Sequence, residues 1–303
     1  MTEAYQQVTL PAKDGYQLAL RVYDTSNPKA VVKFIHGMEE HQGRYQPFAE
    51  YLQSAGYAVV TADLRGHGKT APILSHIAGK DGHLLLLEDE EVILSFIHER
   101  WPGAPVDLFA HSMGTIIARA FLATQSREFH KVALSGYPNP NSAAGAGIML
   151  TDVLSAFKGG KKKSKLVDNM VLGPFAKAIP DAKSPLEWLS YNEENVKRYA
   201  ENPLCGESFT LGSYNALFHL IKMMDTPARY KEVWKLLPIL LISGKDDPCT
   251  GGEKGREASL NRLKEAGFRE IRVETVDGMR HEILNETDKQ KVFRIILDFL
   301  SSP

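Results

Sequence analysis

Ser112 stands where two kinds of sequence meet. The run before it, PVDLFA, reads as a buried strand, and the run after it, MGTIIARAFL, carries Ile116, Ile117, Ala120 and Phe121 at helical spacing. A hydroxyl at such a junction can cap a helix. It can also be a nucleophile held up on a sharp strand-to-helix turn. That second use has the form small-x-Ser-x-Gly, because strand and helix approach closely there. Here the residues are Ala110-His111-Ser112-Met113-Gly114, with Ala in place of the first Gly. The extra methyl is one the turn can accommodate.

A serine nucleophile needs a base, and the base needs an orienting carboxylate. On a strand-turn-helix scaffold of this kind they follow in the order Ser, acid, His. Of the ten histidines only His281 comes late enough, in VDGMRHEILNE, directly after the strand-like EIRVETV. The acid belongs at the end of the preceding strand, PILLISG, which runs into Lys245-Asp246-Asp247-Pro248. Pro248 biases Asp247 toward extended backbone, but both Asp246 and Asp247 remain open. The oxyanion needs two backbone N–H groups. One comes from Met113, after the nucleophile, and the other from Met38, in the loop that follows AVVKFIHG. HGMEEH also flanks two glutamates with His36 and His41, but fits neither HExxH nor HxxEH. No metal or organic cofactor is expected. The loop Asp63-Leu64-Arg65-Gly66-His67-Gly68 is expected to be a structural turn anchored by an Asp–Arg contact. Cys249, two residues past Asp247, is expected to be a structural thiol near the site.

The elements that must position these groups alternate. Two segments split by Asp14-Gly15, YQQVTL and YQLALRVYD, read as a hairpin. Then come AVVKFIHG, a helical RYQPFAEYLQSAG, YAVVTADLRGHG, a helix through Glu88–Arg100, VDLFA, helix 113–125 and KVALSG. Late in the chain PILLISG and EIRVETV alternate with SLNRLKEAG and a closing helix, DKQKVFRIILDFL. Apolar runs of this kind belong to a mostly parallel sheet with helices on both faces. Tyr137 to Arg229 breaks the rhythm. It is expected to be an inserted helical cap, with helices in LEWLSYNEENVKRY and FTLGSYNALFHLIKMM. The expected division is a core of 1–136 and 230–303 and a cap of 137–229, with Trp188 and Phe218 as candidates for the substrate pocket. Lys161–Lys163 is expected to be a solvated loop; transient contact of the cap with a membrane surface is the alternative.

The 303 residues are 43% hydrophobic and 24% charged, with a net charge of -1, so no nucleic-acid partner is expected. Two cysteines, Cys205 and Cys249, are too few for a disulfide framework and suit a reducing compartment. The N-terminus lacks the basic start and apolar stretch of a signal peptide. No apolar run approaches a membrane span. A cytoplasmic location is expected.

With these residues in hand, the chain resembles the monoglyceride lipase and lysophospholipase branch of the α/β-hydrolases, the serine aminopeptidase-like family. The resemblance rests on FIHGMEEHQGRYQPFAEYLQSAGYAVVTADLRGHGKT, LFAHSMGTIIARAFL, WLSYNEENVKRYAENPLCGESFT, ISGKDDP and GMRHEILNE. It implies an α/β-hydrolase fold and an acid three residues after the strand-end glycine, Gly244, which is Asp247. It implies oxyanion amides at Met38 and Met113. It implies a lipase- or esterase-type serine hydrolase acting on monoacylglycerols, lysophospholipids or other medium to long acyl esters. Ala110 departs from the usual Gly, and Asn192 and Asn202 stand where many relatives have Asp. The same residues would serve a carboxylesterase for short or aryl esters, a thioesterase or an amidase. A non-catalytic ligand receptor is disfavoured by the intact triad, and an epoxide hydrolase or dehalogenase by a serine at the elbow.

Overall fold

The computed structural model describes residues 4–140 and 142–303. The chain opens with β1 (Gln6–Pro11) and β2 (Gln17–Tyr23), paired antiparallel from Gln6 with Val22 to Pro11 with Gln17. Gly15 takes φ 86° at the turn between them, a conformation that costs glycine least. The expected hairpin is there. Next come β3 (Val31–Ile35), α1 (Gln46–Ser54), β4 (Ala58–Ala62), α2 (Gly82–Arg100), β5 (Val106–His111), α3 (Met113–Gln125) and β6 (Lys131–Ser135). Between β6 and the next strand the main sheet gains nothing. That stretch holds α4 (Ala144–Lys158), α5 (Lys165–Val171), α6 (Gly173–Lys177), α7 (Glu193–Glu201) and α8 (Leu211–Met224). The chain closes with β7 (Ile239–Gly244), α9 (Gly252–Glu265), β8 (Ile271–Val276) and α10 (Lys289–Ser301).

The eight strands form one sheet in the order β1-β2-β4-β3-β5-β6-β7-β8. β2 is antiparallel to β4, and every pairing from β4 to β8 is parallel. Each central strand feeds two cores, because successive side chains leave opposite faces. Leu108 and Ala110 of β5 join Ile116, Ile117 and Phe121 of α3 on one face. Phe109 joins Phe48 of α1 and Phe293 of α10 on the other. β8, at one edge of the sheet, is largely exposed, and its sequence alternates and is not a continuous apolar run.

Three elements depart from expectation. α2 starts at Gly82, six residues before Glu88; of the leucines at 84–87 it is Leu86 that is fully buried, in line with Ile93 and Ile97. α4 was not expected. Its sequence, AGAGIMLTDVLSAFK, buries only Ala144, Gly147 and Thr151 and leaves Met149, Val153 and Phe157 exposed, so no amphipathic stripe marks it. It packs on α8 through Gly147, where a Cβ would lie 2.7 Å from the Phe218 ring. Trp188 and Leu189 form a single helical turn ahead of α7, not part of one long helix. Among the described residues no helix is long and apolar enough to cross a membrane.

Candidate active site

Ser112 sits between the last residue of β5 and the first of α3 with φ 52° and ψ −122°. A non-glycine residue pays for such a backbone, and pays only where neighbours enforce it. Its N–H donates to the Ser135 carbonyl (2.9 Å), and its carbonyl accepts from the Thr115 amide (2.8 Å). Its hydroxyl makes no N-cap bond, so the helix-capping alternative does not describe it. Two glycines let the neighbouring backbones in. A Cβ on Gly114 would lie 2.3 Å from the Ile35 carbonyl oxygen, and one on Gly37 would lie 3.1 Å from the Ser112 Cβ. The loop after β3 therefore runs directly beside the serine.

β7 delivers the acids. Asp247 is buried; its Oδ1 accepts from the Cys249 amide (2.8 Å) and its Oδ2 from His281 Nδ1 (3.0 Å). Asp246 is exposed and accepts from the Tyr191 hydroxyl at 3.1 Å. Of the two candidates, it is Asp247 that touches His281. The loop carrying the histidine can lie over the end of β7 because residue 244 is glycine. A Cβ there would meet the carbonyl oxygens of Met279 and Arg280 at 2.2 Å.

The His281 ring lies 4.9 Å from that of Trp188 and 4.7 Å from that of His111, centroid to centroid. Burial opposes charge on this ring. The Asp247 carboxylate and its hydrogen bond, with Glu282 and Glu40 beyond, outweigh that and raise its pKa above the ordinary value. The Nδ1–H donated to Asp247 leaves Nε2 as the basic nitrogen. Among the described residues the amides of Met38 and Met113 donate to no protein acceptor, and Met113 is the first residue of α3, where the helix dipole is positive.

Of HGMEEH, His36 and Glu40 are spoken for structurally. His36 Nε2 accepts from the Leu64 amide (2.9 Å), which leaves Nδ1 to donate to the Gly37 carbonyl (2.8 Å). Glu40 accepts from the Gly37 amide and the Tyr45 hydroxyl, and pairs with Arg44. Arg44 also forks onto Glu282 at 2.5 and 2.6 Å, and Asn195 of α7 donates to the same carboxylate. This buried network ties the loop after β3 to the residue following His281 and to the segment between β6 and β7. The sequence showed each charge but not their pairing, since Arg44 and Glu282 are far apart in the chain. The turn at Asp63–Gly68 is anchored by Asp–Arg contacts, with aspartates that come from outside the turn. Arg65 pairs with Asp14 and Asp89, while Asp63 accepts the Gln42 amide.

Ser112, His281, Met38 and Met113 all line one cavity of about 790 Å³, within the range of small-molecule sites. Trp188 and Phe218 line it too, with Leu217 and Ile221 of α8, whereas Met224 is buried in the core. Among the described lining residues there are four carboxyl side chains, Glu39, Glu40, Asp168 and Glu282, and no Lys or Arg. Glu39 was noticed in the sequence only as half of a metal pattern. It takes φ 56°, is 7% exposed, and leaves Oε1 without a partner. Burial first, then Asp168, pushes its pKa up to about 8. Cys249 is buried and also lines the cavity, close to Asp247 and His281.

The fold and the strand ends carrying these residues define the class: this is an α/β-hydrolase. More narrowly, the chain belongs to the hydrolase family described as serine aminopeptidase, S33, whose sequence model matches residues 26–288. It is 27% identical over 293 residues to the monoacylglycerol lipase of Mycolicibacterium smegmatis, covering 93% of this chain and 91% of that one. It is 25% identical over 277 residues to a phospholipase of Bacillus subtilis, covering 90% and 95%. Its structure is similar to that of a highly thermostable carboxyl esterase from Bacillus coagulans in complex with glycerol. The TM-score is 0.90 and the identity 25%, over 99% of this chain and 98% of that one.

Proposed function

We propose that this protein is a serine hydrolase that cleaves carboxylic esters of acyl chains, monoacylglycerols and lysophospholipids among them, through an acyl-enzyme. The observation that carries the reading is the Asp247–His281 hydrogen bond, buried in the wall of the cavity that Ser112 also lines. Ser112 attacks the ester carbonyl while His281 Nε2 takes its proton. Asp247 fixes the imidazole tautomer and stabilises the imidazolium. The amides of Met38 and Met113 bind the oxyanion, each worth about 3–4 kcal/mol. His281 then gives its proton to the leaving alkoxide. Water, deprotonated by the same nitrogen, releases the acid. Residues 1–136 and 230–303 act as the catalytic core, and 137–229 as a cap whose Trp188 and Phe218 hold the acyl chain. The names of the relatives, two lipid-ester hydrolases and an esterase, support the same substrate class.

The test has two arms. A fluorophosphonate should label wild type and not a folded Ser112→Ala variant, whose turnover should fall roughly a millionfold. Substantial labelling of that variant would sink the assignment. A panel of p-nitrophenyl esters, monoacylglycerol and lysophosphatidylcholine then fixes the class. Short or aryl esters alone point to the carboxylesterase alternative, and thioesters or amides to the others.

A further inference from the structure

Three donors of the types preferred by borderline-soft cations meet beside the proposed catalytic pair. A carboxylate oxygen of Asp247, the Cys249 sulfur and a ring nitrogen of His281 all lie within 4.8 Å of one another, and all three residues are buried. Among the described residues no other group of three His, Cys, Asp or Glu meets this standard. We propose that Asp247, Cys249 and His281 form an inhibitory site for a borderline-soft divalent cation such as Zn²⁺, which binds the Nδ1 edge of His281 and silences the hydrolase. The inhibitory part rests on the reading of His281 as the base.

The geometry needs little rearrangement. With Zn–S near 2.3 Å and Zn–N and Zn–O near 2.1 Å, tetrahedral ligand atoms stand about 3.4–3.6 Å apart. The carboxylate and the imidazole are already 3.0 Å apart, so a modest spreading of side chains admits the ion, with water as the fourth ligand. Asp247 stays anchored meanwhile, because its other oxygen is held by the backbone amide of Cys249. Cys249 and His281 both line the cavity, which supplies a way in.

The charge balance favours the exchange. Without metal, the cluster is an aspartate, a neutral imidazole protonated at Nδ1 and a thiol, which sum to one negative charge. Zn²⁺ displaces the thiol proton to solvent, and the ring proton moves from Nδ1 to Nε2; two anionic ligands and a neutral imidazole then leave the site neutral. Glu40 and Glu282 near His281 favour the cation; Arg119, whose charge is felt at Cys249, opposes it. Once the metal holds Nδ1, the remaining proton of the neutral ring sits on Nε2, so His281 cannot accept the Ser112 proton. Mg²⁺ and Ca²⁺ prefer all-oxygen shells and should be poor substitutes.

The experiment compares Zn²⁺ and Mg²⁺ as inhibitors of ester turnover by wild type, Cys249→Ala and Cys249→Ser, each normalised to its own metal-free rate. Folding is checked by thermal melt. Co²⁺ is titrated into Ser112→Ala, where a thiolate-to-cobalt absorption band reports binding without any turnover. Zn²⁺ should inhibit wild type, chelator should restore activity, and Mg²⁺ should do nothing. Losing an outer-shell partner costs a metal site about 10–100-fold in affinity, so losing the thiolate itself should weaken Zn²⁺ inhibition at least roughly tenfold. The cobalt band should appear in Ser112→Ala and vanish when Cys249→Ala is added. Equal Zn²⁺ sensitivity of wild type and both Cys249 variants overturns the site, as does the absence of the band. A band without inhibition of wild type leaves the metal site standing and overturns the inhibitory claim, while the reading of the hydrolase itself stands or falls separately on fluorophosphonate labelling.

Discussion

Replacing Asp247 by asparagine changes one acceptor into a donor at nearly constant volume. Asp247 Oδ1 takes the Cys249 amide at 2.8 Å, and Oδ2 takes His281 Nδ1 at 3.0 Å. An asparagine can keep the first bond only by giving its carbonyl oxygen to Cys249. Its NH₂ then faces His281. The ring must answer with an unprotonated Nδ1, so its proton moves to Nε2, the nitrogen that has to accept from Ser112. Turnover should fall by about four orders of magnitude, roughly 5.5 kcal/mol of transition-state stabilisation. The pH profile gives a second readout. In wild type burial lowers the His281 pKa, but Asp247 raises it further, to a net value above the ordinary one. Because the base must be neutral, kcat/KM should rise as pH passes upward through that raised pKa. In Asp247→Asn the attraction is gone, and whatever activity remains should rise at lower pH. Profiles of p-nitrophenyl ester turnover, with fluorophosphonate labelling rates beside them, measure both. Asp246→Asn should retain far more activity, since that carboxylate meets Tyr191 at the surface. Activity of Asp247→Asn within tenfold of wild type, or an Asp246→Asn variant more damaged than it, refutes the assignment.

Each methylene buried in the cavity contributes about 0.8 kcal/mol, so kcat/KM should climb by up to roughly fifteenfold per two carbons until the space is filled. Phe218→Ala and Trp188→Ala should flatten or shift that series; a wild-type preference for acetate that neither variant changes speaks for short esters. Gly114→Ala sets a Cβ 2.3 Å from one backbone carbonyl and 2.7 Å from the next, neither of which can rotate away, and should cost about 3 kcal/mol or more. Calorimetry showing an unchanged melting temperature would contradict the close approach of α3 to β3. His67 and His111, held down to about 3 and about 4 chiefly by burial, bind protons more weakly folded than unfolded. Their stabilisation is complete above the unfolded value near 6.5 and is lost as pH falls toward 4, by a few kcal/mol on the order-of-magnitude scale of such shifts. His281 contributes with the opposite sign. Melts of wild type and His67→Gln from pH 7 to 4 test this: the variant should lose less of its stability over that range.

The parts of the molecule legible in the sequence share one cause. Parallel strands buried on both faces leave apolar runs, and the residues at their ends follow from counting. That is why Ser112, His281 and the adjacent pair Asp246 and Asp247 could be placed at separate strand ends. Lys33 shows the limit even there: it sits inside the apolar β3, and only the structure reveals Glu90 of α2 facing it. Hydropathy patterning failed at α4, where glycine and outward apolar side chains erase the stripe, and at Arg65, whose partners Asp14 and Asp89 come from other elements. The choice between Asp246 and Asp247 is a matter of one residue of phase at the end of a strand. Local sequence mechanics left it open; resemblance selected Asp247, and of the two carboxylates it is that of Asp247 that meets His281 Nδ1.

The lining of the cavity has a consequence for the end of the reaction. Its described residues offer four carboxyl groups and neither Lys nor Arg, and Arg44, which answers Glu40 and Glu282, is committed to them. An ester enters neutral and meets walls that do not oppose it. The acid it yields ionises, and the same walls then repel it, in a space where a charge is poorly solvated. Hydrolysis thereby converts a guest into an intruder, and turnover carries its own exit step. Long-chain fatty acids should accordingly inhibit less strongly than the neutral alcohols of the same length, with the gap widening above pH 8 as Glu39 ionises. A fatty acid that binds more tightly than its alcohol would show that the walls do not act on charge.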